Sequence, residues 1–198
     1  MGLAAYNPFM GQTIRTDAGT AVDRVFIAHY TIAAADADAA APAYIEAATV
    51  LAAAPTTVLA AALSAQPPTP RVLSITGDAA GSTGDVVITG TDAAGAALTE
   101  TIVGIGAATV IGTRAFATIS SIVFPIGNGV STISVGISDY IGLPYLLSGA
   151  QQLLSIYNNG TATTAAAASS YSATVLSLNF IDPTAALAGA QIDVYMLV

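Results

Sequence analysis

The sequence predicts an all-β protein whose body is an antiparallel β-sandwich or a jelly-roll-like fold. From Arg71 to Ile137, short runs rich in Val, Ile and Thr alternate with glycine-rich turns. The closing run, Ile192 to Val198, places an apolar residue at every second position. About nine strands at such spacing are typical of sandwiches and jelly rolls, so we expect this fold class.

The central strands are separated by joints that read as hairpin turns. The strands are VLSIT, DVVITGT, LTETIV, AFATISSIVF and VSTISVGI, and the joints are GDAAGSTG, DAAG, GIGAAT and PIGNG. Within the last strand, Ile133, Val135 and Ile137 share one face. The alternation slips at Ser120 and Ser121, which predicts a bulge or a strand that passes between two sheets. A glutamate on the apolar face of residues 98–103 predicts an edge strand.

The C-terminal third continues with IGLPYLL, LLSIYNNG, ATVLSLNF and QIDVYMLV. Leu176, Leu178 and Phe180 alternate, which predicts the penultimate strand. The low-complexity tract from Thr161 to Ser170 is expected to be a loop. Asn159-Gly160 fits a glycosylation pattern, but without a secretion signal we interpret it as a tight turn.

The chain divides into an Ala-rich leader, residues 1–66, and the β-sandwich body, residues 67–198, joined by the stiff stretch QPPTP. In the leader, RVFIAHYTI predicts a strand, and ADADAAAPAYIEAA is expected to be helix, loop or both. The leader has few large side chains with which to build its own core. It is therefore expected to pack on the body or to reach neighbouring subunits as an arm, and we prefer the arm.

Composition points to an assembly subunit. Only 8% of the residues are charged, against about 25% in ordinary domains, so much of the surface is expected to contact other chains. The net charge of −8 disfavours nucleic acid and anionic lipid as partners. The apolar stretch Ala47 to Ala65 is interrupted by Pro55 and lacks flanking Lys or Arg, so no membrane span is expected. The N-terminal residues do not resemble a signal peptide.

Groups suited to catalysis are scarce, and we predict a non-enzymatic protein with no catalytic, cofactor-binding or metal-binding residues. Cysteine is absent, the single histidine is His29, and no G-x-S-x-G elbow occurs. The two glutamates are Glu46 and Glu100, and most aspartates fit turn positions. A calcium site between Asp78 and Asp85 is an alternative to the solvated loop that we favour.

A family resemblance covers about residues 66–198. The run PRVLSITGDAAGSTGDVVITGTDAAGAALTETIVGIGAATVIGTRAFATISSIVFP, followed by IGLPYLL and a terminal IDVYMLV, resembles virion structural proteins of tailed bacteriophages. In those proteins a TGDVVITGTD and TETI strand pair, a GT[KR]AF.TI.SI strand and an LGLP turn recur before a short closing strand. The leader is largely unmatched.

The resemblance implies a decoration or cement protein that binds the outside of the capsid and stabilises the shell. The implied partners are the major capsid protein and further copies of this chain, as a homotrimer, on a capsid surface assembled in the host cytoplasm. The alternatives are a head-to-tail adaptor, a tail-tube subunit or a fibre subunit, and more distantly a carbohydrate-binding β-sandwich. Aromatic interface candidates are Tyr6, Phe9, Tyr30, Tyr44 and Tyr145. Their alternative is an ordinary core position, which we favour for Tyr30 and Tyr145.

Overall fold

The computed structural model of the chain describes residues 26–184 and 187–198, together with the backbone of residues 14–15 and 21–22. Within that part no helix reaches seven residues, and the all-β prediction is confirmed. The strands are β1 (Ile14–Arg15), β2 (Ala21–Val22), β3 (Ile27–Ile32), β4 (Ala41–Val50), β5 (Thr56–Leu59), β6 (Arg71–Gly77), β7 (Thr83–Thr91), β8 (Ala97–Ile105), β9 (Thr109–Phe116), β10 (Thr118–Phe124), β11 (Thr132–Gly142), β12 (Leu153–Asn158), β13 (Thr161–Thr163), β14 (Phe180–Ile181) and β15 (Ile192–Leu197). Short 3-10 turns lie at Ala34–Asp36, Ala60–Ala62, Ala150–Gln152 and Leu176–Leu178.

Three antiparallel sheets pack together, as predicted for a sandwich-like body. Sheet I has the strand order β5-β10-β7-β8. Sheet II has the order β14-β11-β6-β9, and β4 also pairs with β11. Sheet III has the order β13-β12-β15-β3. The pair β1 and β2 forms a separate ladder.

Most of the glycine-rich joints cross between sheets I and II. Four joints were interpreted as hairpins, and the DAAG turn between β7 and β8 is a hairpin as predicted. In this turn the Asp92 side chain accepts hydrogen bonds from the amides of Ala94 and Ala96. The other three link β6 to β7, β8 to β9 and β10 to β11, which belong to different sheets. The hairpin interpretation of those three is wrong, because glycine permits a tight reversal whether the next strand pairs with the previous one or faces it.

Two buried clusters hold the layers together. The larger lies between sheets I and II and contains Ile45, Leu51, Leu73, Ile75, Val86, Ile88, Leu98, Ile102, Phe116, Ile119, Ile122, Phe124, Ile133, Val135 and Ile137. The second lies under sheet III and contains Ile32, Ala37, Ile141, Leu143, Leu147, Ile156, Ile181, Leu187, Ile192, Val194 and Met196. The predicted shared face of β11 and the alternation of β15 are both confirmed, and β11 contributes to both clusters.

Residues 27–59 of the leader pack on the body. β3 pairs along its whole length with the C-terminal strand β15, β4 pairs with β11, and β5 pairs with β10. The sequence favoured an arm that reaches neighbouring subunits. For residues 1–25 this stays a prediction, because almost all of them lie outside the described residues. The division of the chain at residue 66 stays a prediction.

Arg71 ties the leader to the body from inside the fold. Its side chain is fully buried at the start of β6. Nε donates to the carbonyl oxygen of Ser138 at 3.0 Å, and Nη2 donates to the carbonyl oxygen of Asp38 at 2.6 Å. Burial lowers the pKa of Arg71, and the nearby charges of Asp139 and Asp38 oppose that shift.

Several local predictions need correction. The stretch after Asp38 forms β4 rather than a helix or a loop, because its residues pair with β11 through two register shifts. Residues 109–116 form a separate strand that the sequence pattern missed, and Leu176–Leu178 is a 3-10 turn rather than a strand. The bulge is confirmed between Ile119 and Ser121, and β8 is an edge strand of sheet I as predicted. The described residues contain no helix with the length and apolarity needed to cross a bilayer.

Candidate interaction surfaces

The aromatic interface candidates occupy different environments. Tyr6 and Phe9 lie outside the described residues. Tyr30 packs against the second core, and its hydroxyl lies 2.9 Å from Oγ1 of Thr69. Tyr44 packs against the first core, and a hydrogen bond to Asp38 raises its pKa. Tyr145 is 38% exposed, so the core position favoured for it is wrong. Their role at an interface stays a prediction.

An uncharged apolar surface is built from two loops, residues 50–55 and 125–130, which we call the loop pair. Val50, Ile126 and Val130 are 48%, 61% and 78% exposed, and the alanines and the proline that complete the first loop are exposed as well. No Asp, Glu, Lys or Arg occurs in residues 47–70 or 115–138. Large side chains at this exposure gain free energy when a partner covers them.

The loop pair is held in shape by its own backbone. The amide of Gly127 donates to the carbonyl of Ala52 at 2.8 Å, and the amide of Gly129 donates to the carbonyl of Leu51 at 2.8 Å. The Asn128 side chain accepts hydrogen bonds from the amides of Val130 and Ser131. A Cβ at Gly127 would overlap Leu51, so glycine is required there. The apolar side chains are therefore presented on an ordered framework, which lowers the entropic cost of binding.

The outer face of sheet I is a second surface with little charge, which we call the threonine face. Its residues alternate along each strand with those buried in the first core. They are Thr57, Leu59, Asp85, Val87, Thr89, Thr91, Thr99, Thr101, Val103, Ile105, Thr118, Ser121 and Val123. Asp85 is the one charged member of this set, and the hydroxyls of Thr91 and Thr118 lie 2.7 Å apart. The face is broad and β-branched, with few side-chain hydrogen bonds.

The outer face of sheet III, which we call the tyrosine face, consists of Ile27, His29, Thr31, Ser155, Tyr157, Asp193 and Tyr195. The rings of His29 and Tyr195 are stacked with centroids 4.3 Å apart, and Tyr157 meets Tyr195 edge-on at 6.0 Å. Oδ1 of Asp193 lies 2.8 Å from Nε2 of His29 and accepts the hydroxyl of Thr31 at 2.8 Å. The Thr31 hydroxyl lowers the pKa of Asp193, helped by Gln191 and His29. This face is a connected polar and aromatic network.

Glu100 lies on β8 with its carboxylate turned inward. Oε1 accepts hydrogen bonds from the backbone amide of Thr113 and, at 3.0 Å, from its hydroxyl, so the glutamate links the edge of sheet I to β9 of sheet II. Oε2 is buried without a hydrogen-bond partner among the described residues. Burial raises the pKa of Glu100 even though Thr113 favours the charged form. The prediction that β8 is an edge strand is confirmed, and its glutamate connects the two sheets inside the fold.

Residues considered for chemistry are dispersed. His29 belongs to the tyrosine face, Glu46 to β4 and Glu100 to β8. Asp78 accepts the hydroxyl of Ser82 at 2.7 Å and the amide of Thr132 at 2.8 Å, so one oxygen of the proposed calcium loop is engaged in holding the turn. Within residues 26–184 and 187–198, no three or more His, Asp or Glu side chains gather in a way that could hold a metal ion.

Neither the loop pair nor the tyrosine face was predicted from the sequence. Ile126 and Val130 flank the Gly-Asn-Gly turn of residues 127–129, and an apolar residue on each side of a glycine turn is the signal that indicates the loop pair. The tyrosine face combines β3 with β12 and β15, and the residues of β3 are more than 120 positions from those of the other two strands. No local pattern reports such a pairing.

No protein-family model matches the chain, and no curated protein or solved structure matches it either.

Proposed function

We propose that this chain is a non-enzymatic structural virion protein that binds the outside of a tailed-phage capsid and stabilises the shell. The observation that carries the proposal is the loop pair, which holds exposed Val50, Ile126 and Val130 on a hydrogen-bonded and uncharged framework. A low overall charge and two further broad surfaces support a protein that works through contacts. Each copy would add shell contacts that resist the outward pressure of packaged DNA.

The test is co-sedimentation of the purified protein with emptied phage heads. Val130→Asp and Ile126→Asp each remove an apolar contact and place a charge against the shell, so each is expected to weaken binding by about tenfold or more. Ile105→Asp on the threonine face is the matched control and is expected to bind as the unchanged protein does. Equal binding by all three variants would exclude the loop pair as the docking surface.

Copy number separates the proposal from its alternatives within the virion. A cement protein is expected at a copy number close to that of the major capsid protein. A head-to-tail adaptor, tail-tube or fibre subunit is expected at far fewer copies than the shell subunit. Labelling of intact particles measures this ratio, and sedimentation of the free protein tests the proposed homotrimer.

A carbohydrate-binding role is a second candidate, and the tyrosine face favours it. Tyr157, Tyr195 and Ile27 border a depression of about 350 Å³ beside the hydroxyl of Ser155. Aromatic rings with a few placed polar groups are common in small-molecule sites. Binding on a glycan array that is lost in Tyr195→Ala would support this role, and an array without signal would remove it.

A further inference from the structure

A groove of about 410 Å³ crosses the outer face of sheet II. Ser74 of β6 lies on its floor, between its cross-strand partners Gly136 of β11 and Ile111 of β9. Ile111 forms one wall, and the beginning of β4 at Ala41 and Pro42 covers the other side of Gly136. The groove therefore has an apolar channel wide enough for a side chain.

The groove also carries two carboxylates, those of Asp139 and Asp182. Neither forms an ion pair with any cation in the described part of the chain. Asp139 accepts the amide of Ala40 at 2.9 Å, and Asp182 has its pKa raised by burial and by the charge of Asp139. The buried guanidinium of Arg71 gives its hydrogen bonds to backbone carbonyls and does not contact either carboxylate within ion-pair distance.

A buried hydroxyl on the groove floor gives an independent indication of a ligand. Ser74 is 4% exposed, and its neighbours Leu73 and Ile75 both belong to the first core. Because successive side chains of a strand point to opposite faces, the Ser74 hydroxyl points out of the core and into the groove that it lines. No described residue forms a hydrogen bond with it. Fully buried polar atoms without a partner in the described residues are those of Glu46, Arg71 and Glu100, so the Ser74 oxygen is open to the groove and available to a ligand.

We propose that this groove binds an arginine side chain supplied by a partner polypeptide. The aliphatic stem would lie between Pro42 and Ile111. The guanidinium would donate to Asp139 and Asp182, and the Ser74 hydroxyl would accept a further N–H group.

The chemistry favours a guanidinium over the other cations. Calcium takes six to eight oxygen ligands, and the groove offers two carboxylates and a few hydroxyls. An ammonium group is a compact, strongly hydrated point charge, whereas a guanidinium is planar and carries five donors that suit several separate acceptors. The chain itself is acidic, with a net charge of −8, so a basic partner also meets favourable long-range electrostatics.

The first experiment is an NMR titration of the full-length, isotope-labelled protein with butylguanidinium, using butylurea as the uncharged control of equal shape. Butylguanidinium is expected to shift the amide signals of Asp139, Tyr140 and Asp182 saturably, with a dissociation constant of about 1–10 mM. Butylurea is expected to cause no saturable shift of these signals at the same concentrations. An equal response to both compounds would overturn the proposal.

Variants then test the residues. The double variant Asp139→Asn and Asp182→Asn is expected to weaken binding by about tenfold or more, and Ser74→Ala by about threefold. Asp85→Asn on the threonine face removes one charge elsewhere and is expected to have no effect. Unchanged affinity in the double variant would overturn the proposal, and the amide spectrum of each variant reports whether it is folded.

Two further ligands test the source of the cation. The peptide acetyl-Gly-Arg-Gly-amide is expected to bind at least as tightly as butylguanidinium. Failure of the peptide to bind would overturn the assignment to a polypeptide partner, and displacement of butylguanidinium by micromolar calcium would reassign the groove to a metal. These measurements use no phage particle, so their failure is distinguishable from failure of the proposed capsid role.

Discussion

The threonine face of sheet I and the tyrosine face of sheet III are both outer faces of four-stranded antiparallel sheets, yet they are organised differently. The threonine face has β-branched side chains and few side-chain hydrogen bonds, and the glutamate of its sheet, Glu100, is turned into the core. On the tyrosine face the carboxylate of Asp193 lies outside and joins Thr31, Gln191 and His29.

The two sheets are therefore ordered by different contacts. Sheet I is held by close contact between the backbones of its strands and by packing of its inner face on the first core. Sheet III is held in addition by hydrogen bonds between side chains on its outer face. Sheet III joins strands from both parts of the chain, since β3 pairs with β15. A surface network across that pairing supports contacts that are distant in sequence, for which the loop-closure cost is largest.

The largest effect is expected from a substitution that disrupts the close contact between the backbones of two strands in sheet I. A Cβ at Gly90 would overlap the carbonyl oxygen of Thr118 at the bulge between β7 and β10. Gly90→Ala is therefore expected to lower the free energy of unfolding by about 2–3 kcal/mol, as overpacking typically does. Denaturant titration measures the change.

The matched control for that variant is Gly95→Ala. Gly95 has no neighbouring atom within 4 Å and a φ of +80°, so the control carries only the backbone strain of about 1 kcal/mol. If Gly90→Ala loses no more free energy than this control, close approach at Gly90 contributes less than the expected 2–3 kcal/mol.

The second prediction concerns the buried carboxylate of sheet I. Burial raises the pKa of Glu100, so folding favours its protonated form, and its contribution is most favourable at low pH and is lost as the pH rises through the raised value. Glu100→Gln has no such titration and keeps the acceptor for Thr113. From about pH 4 to pH 7, the variant is expected to gain stability relative to the unchanged protein. Parallel stability curves across that range would contradict this.

The third prediction compares cross-strand coupling on the two faces. A double-mutant cycle of His29→Ala and Tyr195→Ala is expected to give a coupling free energy of about 0.5–1.5 kcal/mol, because the stacked rings are lost together. The matched cycle of Thr91→Ala and Thr118→Ala is expected to give only a few tenths of a kcal/mol. Equal couplings would remove the distinction between the faces.

The smallest expected effect is the acid response of the tyrosine face. The hydrogen bond from Thr31 lowers the pKa of Asp193, so this carboxylate stabilises the fold above the ordinary aspartate value, and the contribution is lost as the pH falls below about 4. Because the network lies at the protein surface, where solvent screens charges, the loss is expected to be a few tenths of a kcal/mol. In Asp193→Asn this part of the acid response should disappear. A steeper acid response in the variant would contradict the assignment.

Local sequence predicts several of the strands and which of their faces are buried. The alternation of β11 and β15, the bulge near Ser121 and the tight turn at Asn159 and Gly160, where φ is +48° and +77°, all follow from neighbours within a few positions. Low charge likewise indicated exposed uncharged surfaces before any fold was known. These features depend on period-two packing and on intrinsic backbone preferences, which the sequence carries directly.

The pairing of the strands, and the residues that this pairing brings together, depend on contacts across the whole fold. A glycine-rich joint has the same composition whether it closes a hairpin or crosses between sheets, so the alternation of β8, β9, β10 and β11 between two layers was not predictable. The meeting of Glu100 with Thr113, the joining of β3 to β15, the loop pair and the groove over Ser74 all require contacts between residues distant in the chain. Such contacts are chosen by packing of the whole core, which no short window of sequence contains.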